Sequence, residues 1–188
     1  MNRYKLLTAH AVFIIITGVV LMFQAYTIPT RAVQYVVAAG TILSGVFALL
    51  TAYKSVVYKD TLKYHVLHAI VLFGYGVAVL FFANDVASFL VITEYFLFFY
   101  GVTELVFCAF LMAVKSKPVY KIVATRMVIG FSIIAGAVMV LAASSINRSL
   151  ALLLAGLSLA LSGIVTIVFK SIIRKVHENK TLIPVAVS

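Results

Sequence analysis

Residues 43–54 read LSGVFALLTAYK, and this glycine-bearing stretch has two counterparts later in the chain. The counterparts are FYGVTELVFCAFLMAVK at residues 99–115 and LSGIVTIVFKSIIRK at residues 161–175. A second set of related stretches precedes them, which comprises TGVVLMFQAYT at 17–27, YGVAVLFFAND at 75–85 and AGAVMVLAASS at 135–145. The chain therefore contains three copies of a repeat that has two parts.

The glycines of these stretches recur at nearly constant spacing. Within the three units they are 27, 25 and 27 residues apart, and the first glycine advances by 58 and then by 60 residues from unit to unit. Small residues let helices approach closely in a membrane. We therefore predict helix-packing positions at six glycines, which are Gly18, Gly45, Gly76, Gly101, Gly136 and Gly163.

The composition is that of a membrane protein. Apolar residues make up 64% of the 188 residues, charged residues make up 11%, and the mean hydropathy is +1.18. A soluble domain cannot hide this much apolar surface. Six apolar runs approach or exceed the ~20 residues that cross a bilayer as a helix, and they lack the alternation of barrel strands. The runs are Leu6–Gln24, Ala32–Tyr53, Tyr64–Ala83, Ala87–Ala113, Val119–Ala143 and Ser149–Phe169.

These runs predict an all-α membrane protein with a single six-helix transmembrane domain over residues 1–188. The repeats cover residues of about 6–54, 64–115 and 119–170, and residues 171–188 form a cytoplasmic tail. Each repeat crosses the membrane twice, so all three enter with the same polarity. We therefore expect three parallel helical hairpins related by a pseudo-three-fold axis along the membrane normal.

The positive charges favour one side of the membrane. A net charge of +10 would suggest nucleic acid as the partner of a soluble protein, but here the cations lie at the ends of the apolar runs. Twelve of them lie at the termini or in the second and fourth connections: Arg3, Lys5, Lys54, Lys59, Lys63, Lys115, Lys117, Lys121, Lys170, Arg174, Lys175 and Lys180. The opposite connections hold only Arg31 and Arg148. This bias predicts cytoplasmic N- and C-termini and a basic rim that binds anionic lipid head groups, with no nucleic-acid partner.

Two glutamates fall inside the fourth apolar run. Glu94 and Glu104 are ten residues, or about 15 Å, apart along a helix, and each costs about 2.5–3.5 kcal/mol at mid-membrane depth. We expect both side chains to point into the bundle. For Glu94 we expect a neutral carboxyl that is hydrogen-bonded to one nearby polar group. The candidates are Gln24, Gln34 and Thr17, and the hydroxyls best placed in depth are those of Tyr35 and Tyr75.

Three further ionisable residues lie near the cytoplasmic third of their runs. His10 and His68 each precede the first glycine of their repeat by eight residues, and Arg126 follows a lysine by five residues, as both histidines do. A cluster of these residues with Glu104 is therefore possible. It can be interpreted as a proton-responsive or ion-binding centre. Alternatively, the residues make interhelical hydrogen bonds while Arg126 snorkels to the head groups.

No enzyme motif accompanies these residues. The chain has no glycine-rich phosphate loop and no H-E-x-x-H sequence, and its single cysteine, Cys108, cannot form a thiolate metal site alone. We see no nucleophile with a base beside it. We therefore predict a protein that is not an enzyme, without catalytic residues, metal or cofactor.

Three glycine-bearing hairpins with both ends in the cytoplasm resemble the HdeD-like family of bacterial acid-resistance membrane proteins, a short-repeat domain of unknown function. The likeness lies in TGVVLMFQAYTIP, AAGTILSGVFALLTAYK and their later copies. Pro29 fits the proline of the family after the first helix of a hairpin, whereas Asn84–Asp85 and Asn147–Arg148 replace it later. The resemblance implies a multi-pass protein of the bacterial inner membrane that is linked to acid or general envelope stress.

Three functional hypotheses follow. The first is a non-enzymatic inner-membrane protein of the acid- or envelope-stress type, which acts through helix packing with itself, as a homo-oligomer, or with another membrane protein. If it senses protons, Glu104, His68 and His10 are the candidate residues. The second is a small proton- or ion-coupled transporter or channel with Glu94 and Glu104 along its path. The third is an accessory subunit of a larger membrane complex.

Overall fold

The described part of the chain consists of α-helices joined by short connections. A computed structural model describes residues 3–25, 31–54, 59–112 and 117–181, which form six helices. They are α1 (Arg3–Gln24), α2 (Arg31–Lys54), α3 (Lys59–Phe82), α4 (Val86–Met112), α5 (Lys117–Ser144) and α6 (Arg148–Thr181). Five are long and apolar enough to span a membrane, and α3 contributes a shorter apolar stretch, Val66–Phe82. The expected class, a helical bundle of the membrane type, is confirmed at this level.

The helices follow one another around a closed bundle. Each helix packs against the next one in the chain, α6 returns to pack against α1, and α4 also contacts α6. At the end of the bundle where α1 begins, the Lys170 ammonium donates a 2.7 Å hydrogen bond to the Thr8 hydroxyl and ties α6 to α1. The core contains apolar side chains from every helix, among them Leu21, Val37, Leu72, Leu97, Val140 and Leu159.

The outer surface of the bundle is also apolar. Large side chains such as Phe23, Tyr53 and Phe81 are each at least 70% exposed. In water such a surface would promote aggregation, whereas in a bilayer it is solvated by lipid tails. The surface therefore agrees with a multi-pass membrane protein.

The glycines lie where helices of neighbouring hairpins cross. A Cβ atom built on Gly18 of α1 would lie 2.5 Å from the Gly156 carbonyl oxygen of α6, and one on Gly163 would lie 2.8 Å from the Ala11 carbonyl oxygen of α1. Corresponding contacts join Gly76 to Ala38 in the α2–α3 pair and Gly101 to Gly130 in the α4–α5 pair, at 3.0 and 2.9 Å.

The two remaining glycines of the predicted set also lie at helix contacts. Gly45 of α2 packs against the Phe73 ring of α3, with 3.3 Å between its hypothetical Cβ and the ring. Gly136 of α5 is different, because its Cβ position faces Ser158 of α6. Five of the six glycines therefore lie between hairpins, and Gly136 lies within the third hairpin.

Two of the hairpin turns end in capping residues. The Asp85 carboxylate accepts a 2.7 Å hydrogen bond from the Ser88 backbone N–H, while the Ser88 hydroxyl accepts one of 3.1 Å from the Asp85 backbone N–H. This reciprocal pair is a capping box at the start of α4. Asn147 caps α6 with its side-chain oxygen, which accepts hydrogen bonds from the backbone N–H groups of Ser149 and Leu150. The residues that stand in place of the expected proline thus begin the second helix of their hairpins.

Replacing Asp85 with alanine is expected to increase amide hydrogen exchange in the first turn of α4. Hydrogen bonds from the Ser88 backbone N–H and then from its hydroxyl lower the pKa of Asp85. Because that pKa is lower in the folded state, the stabilisation is fully present at neutral pH and is lost only as the pH falls through the lowered pKa. Asp85→Asn keeps a capping side chain and should remove the pH dependence alone. Unchanged protection in Asp85→Ala would contradict the assignment.

The helix ends refine the predicted boundaries. The tail predicted from residue 171 onward begins inside α6, which continues to Thr181. α1 and α3 begin with basic residues that the predicted spans left out, because a helix continues beyond the hydrocarbon layer wherever its backbone bonds are satisfied. Pro29, the predicted span end at Ala113 and the last residues of the tail, 182–188, lie outside the described residues.

Candidate functional site

A polar centre is buried where four helices meet. His10 of α1, His68 of α3, Glu104 of α4 and Arg126 of α5 are each no more than 4% exposed. The structure thus brings together the four residues that the sequence analysis grouped as a possible cluster. Because these helices come from all three repeats, the centre links the hairpins to one another.

Arg126 and Glu104 form the charged part of the polar centre. The Arg126 Nη1 atom donates a 2.5 Å hydrogen bond to Glu104 Oε2. The guanidinium carbon also lies 3.8 Å from the centroid of the Phe169 ring and 5.2 Å from that of Phe107. A counter-charge and two aromatic faces offset the cost of burying a cation. The interhelical hydrogen bond of the alternative interpretation is present between α4 and α5, but Arg126 does not snorkel to the head groups, because these partners hold its side chain inside.

His68 lies between the ion pair and His10. Its Nδ1 atom is 3.9 Å from Glu104 Oε1, a separation too long for a hydrogen bond but short enough for a strong charge interaction. The His68 ring lies 4.4 Å from the Tyr100 ring and 5.3 Å from the His10 ring, centroid to centroid, and the two imidazoles meet edge to face. A charge on either imidazole would therefore act on Glu104.

Ser44 of α2 fixes the orientation of His10. The His10 Nδ1 atom lies 3.1 Å from the Ser44 carbonyl oxygen and 2.7 Å from its hydroxyl, which itself donates to the His10 carbonyl at 3.1 Å. Because a carbonyl oxygen only accepts, Nδ1 carries the proton and Nε2 is the basic atom of the neutral ring. Ser44 was not among the site residues predicted from the sequence. The neighbouring Gly45 gives no signal for this contact, because Gly45 faces α3 whereas Ser44 faces α1.

The polar centre has the chemistry of a proton acceptor. Two imidazoles and a carboxylate can exchange protons, while Arg126 keeps its charge at all relevant pH values. Cys108 lies beside the centre, where its thiol donates to the Val123 carbonyl oxygen over 3.6 Å. Across the ranges that the structure describes, no group of three or more His, Cys, Asp or Glu side chains is arranged to hold a metal ion.

Glu94 is not part of the polar centre. Its side chain is partly exposed at the bundle surface instead of pointing inward as expected. The two glutamates are separated by about 80° around the axis of α4, since residues advance by 100° along a helix. Within the described ranges, the Glu94 side chain makes no hydrogen bond and no ion pair.

The groups expected to bind Glu94 have other environments. The Tyr75 hydroxyl lies 2.9 Å from the Thr93 hydroxyl, and the Thr17 hydroxyl donates to the Phe13 carbonyl. Tyr35 is 56% exposed, and Gln24 is buried. Gln34 is half-buried. Helical periodicity explains why Tyr75 pairs with Thr93 and not with Glu94, because successive residues of α4 point about 100° apart and Thr93 is the buried one.

The chain was compared with protein-family models, with curated proteins and with solved structures, and no match was found. The buried polar centre and the helices around it therefore carry the functional conclusion.

Proposed function

We propose that this chain is a non-enzymatic, multi-pass protein of the bacterial inner membrane that responds to protons, of the acid- or envelope-stress type. The observation that supports the proposal is the polar centre, in which two imidazoles lie beside a buried ion pair at the junction of four helices. Ionisable groups inside a membrane are costly, and their presence favours a functional role. The resemblance to the HdeD-like family agrees with this role.

In the proposed architecture six spans form three parallel hairpins around a pseudo-three-fold axis, with both termini in the cytoplasm. The close glycine contacts between α2 and α3, α4 and α5, and α6 and α1 support this symmetry, since all three join successive hairpins. The cation bias supports the orientation. Lys5, Lys54 and Arg174 are exposed at one end of the bundle, and Arg31 and Arg148 are exposed at the other. Anionic head groups are the proposed partners of the more basic end.

A proton on the imidazole pair would change the forces on the ion pair. Glu104 already binds Arg126, and protonated His68 would present a second cation to the same carboxylate. The two cations attract Glu104 but repel each other, and in a low-dielectric interior both interactions are strong. Protonation therefore favours a small displacement of α3 against α4 and α5. Such a displacement would carry the signal to the rest of the bundle.

The single cysteine provides a native reporter of this displacement. In proteoliposomes, we expect the protection of Cys108 against a membrane-permeant maleimide to fall by about tenfold as the pH is lowered from about 7.5 to about 4, since a buried imidazole takes up a proton at lower pH than a free one. Protection is the alkylation rate of the unfolded chain divided by that of the folded protein at the same pH, which removes the pH dependence of the thiol itself. The variant His10→Asn/His68→Asn should lose the response.

Asp85→Asn is the matched control, since it removes a titratable group far from the polar centre and should leave the response intact. If the protection of Cys108 in the wild type does not change with pH, or if the double histidine variant responds like the wild type, the proposed proton response is wrong.

The transporter hypothesis receives less support from the geometry. A path through both glutamates would have to connect a carboxyl in the interior with one at the outer surface of α4. We expect no proton-coupled flux in proteoliposomes beyond that of protein-free vesicles. A flux that the wild type supports and Glu104→Gln loses would favour the transporter hypothesis over the proposed function.

A further inference from the structure

Glu94 lies at membrane depth without a polar side-chain partner among the residues that the structure describes. It is eight residues into α4, or about 12 Å below the start of that helix. Val91 and Phe98, one turn away on either side, are exposed, and Glu94 itself is partly exposed. Its carboxyl group has no hydrogen bond and no ion pair within the described residues. The position therefore differs from that of Glu104, which Arg126 satisfies.

The helix contacts show that this position otherwise favours a small residue. Seven residues before the second glycine of each repeat stand Ala38, Glu94 and Gly156. The carbonyl oxygen of Ala38 lies against Gly76 of the adjacent helix, and that of Gly156 lies against Gly18. Glutamate is the exception in this set.

The α4–α5 pair is correspondingly open near Glu94. The Cβ position of Gly136 in α5 has no α4 atom within 4 Å, although Gly18 and Gly76 each meet the neighbouring hairpin at the corresponding point. The α5 side chains at this height, Val138 and Leu141, are 57% and 53% exposed. A glutamate thus occupies a position at which a small residue would let α4 and α5 pack closely.

An ionised carboxyl at this position would be stabilised by a cation supplied from outside the bundle. Such a carboxyl costs about 2.5–3.5 kcal/mol at mid-helix depth. Among the described residues, a second copy of the chain offers no cation at this depth, because its basic residues other than Arg126 lie toward one end of the bundle or the other. Arg126 is buried against Glu104 and Phe169. Charge complementarity therefore indicates a different chain.

We propose that Glu94, with Val91 and Phe98 of α4 and with Val138 and Leu141 of α5, forms a docking surface for a transmembrane helix of another protein. That helix carries a lysine or arginine about 12 Å below the membrane surface, opposite the Glu94 carboxylate. The exposed apolar side chains pack against the partner helix, and the ion pair fixes its depth. This surface is independent of the proton response of the buried polar centre.

Synthetic helices test the surface directly. The full-length protein is reconstituted in proteoliposomes with fluorescent polyleucine transmembrane helices that carry one lysine at the depth of Glu94, or none. Energy transfer should show that the lysine helix associates with the wild type, that the all-leucine helix does not, and that Glu94→Ala weakens the association by about tenfold.

A matched control moves the carboxyl to another face at the same depth. Leu157 is exposed and lies nine residues into α6, so Leu157→Glu in the Glu94→Ala background tests the location rather than the charge. This variant should bind the lysine helix as weakly as Glu94→Ala does. Equal binding to the relocated glutamate, or equal binding of the all-leucine and lysine helices to the wild type, would overturn the proposal.

The stability of the Glu94→Ala variant provides a second test of the docking surface. Because alanine is the residue that the α2–α3 pair uses at this position, Glu94→Ala should unfold in mixed micelles no more readily than the wild type. A clear loss of stability would show that Glu94 acts within its own bundle and would overturn the proposal. Energy transfer between wild-type copies that Glu94→Ala abolishes would also overturn it, because the occupant would then be a second copy.

Discussion

Replacing Arg126 with methionine is expected to lower the free energy of unfolding by about 3–5 kcal/mol, the usual cost of removing one partner of a buried ion pair. The substitution leaves the Glu104 carboxylate at a site that is almost inaccessible, and it removes the guanidinium that stacks on the Phe169 ring. Equilibrium unfolding in mixed micelles of dodecylmaltoside and dodecyl sulfate measures the loss.

Two further variants separate the charge from the packing. The double variant Arg126→Met/Glu104→Met removes both charges together and should recover most of the lost stability, since a buried ion pair replaced by apolar residues of similar volume is often neutral. Arg148→Met removes an exposed arginine at the other end of the bundle and should have little effect. If Arg126→Met is as stable as Arg148→Met, the ion pair does not hold α4 to α5.

Replacing Gly18 with alanine should lower the free energy of unfolding by about 3 kcal/mol, at the upper end of the range for overpacked sites. The added methyl group would lie 2.5 Å from the Gly156 carbonyl oxygen and 2.6 Å from the Ala160 nitrogen. Both atoms belong to the backbone of α6, so only a displacement of a whole helix could relieve the clash. The same unfolding measurement applies.

Gly74→Ala is the matched control for this substitution. Gly74 also lies within a helix, but a Cβ atom there would have no neighbour within 4 Å. Alanine should therefore be neutral at this position or stabilise α3 by up to about 1 kcal/mol through its higher helix propensity. Equal effects of Gly18→Ala and Gly74→Ala would show that the α1–α6 crossing is not closely packed.

The polar centre shows which contacts residue spacing can predict and which it cannot. Equal distances along the chain placed His10 and His68 at one depth, and a lysine register placed Arg126 near them. Depth follows from residue number, because each helical residue rises by 1.5 Å. The contact between His10 and Ser44 could not be derived in this way, because it depends on how α1 and α2 are rotated toward each other.

Glu94 also shows that the sequence gives a position along a helix but not the direction of the side chain. Its position along α4 follows from the sequence, but its expected direction into the bundle is wrong, since α4 is rotated so that Leu90 and Leu97 are buried while Glu94 is partly exposed. α4 is apolar nearly all round, with aromatic and aliphatic residues on every face. Such a helix carries no stripe in its sequence from which the buried face could be predicted.

The sequence by itself determined that this chain forms apolar helices of the membrane type, and it indicated the three glycine-bearing units and the side with more positive charge. These properties are sums over local residues, so they can be evaluated along the chain without a partner. The tertiary structure alone decided that Arg126 binds Glu104, that Ser44 orients His10 and that Glu94 is left at the surface. Each of these outcomes depends on the rotation and register of one helix against another, which the close backbone contacts at the glycines fix in three dimensions.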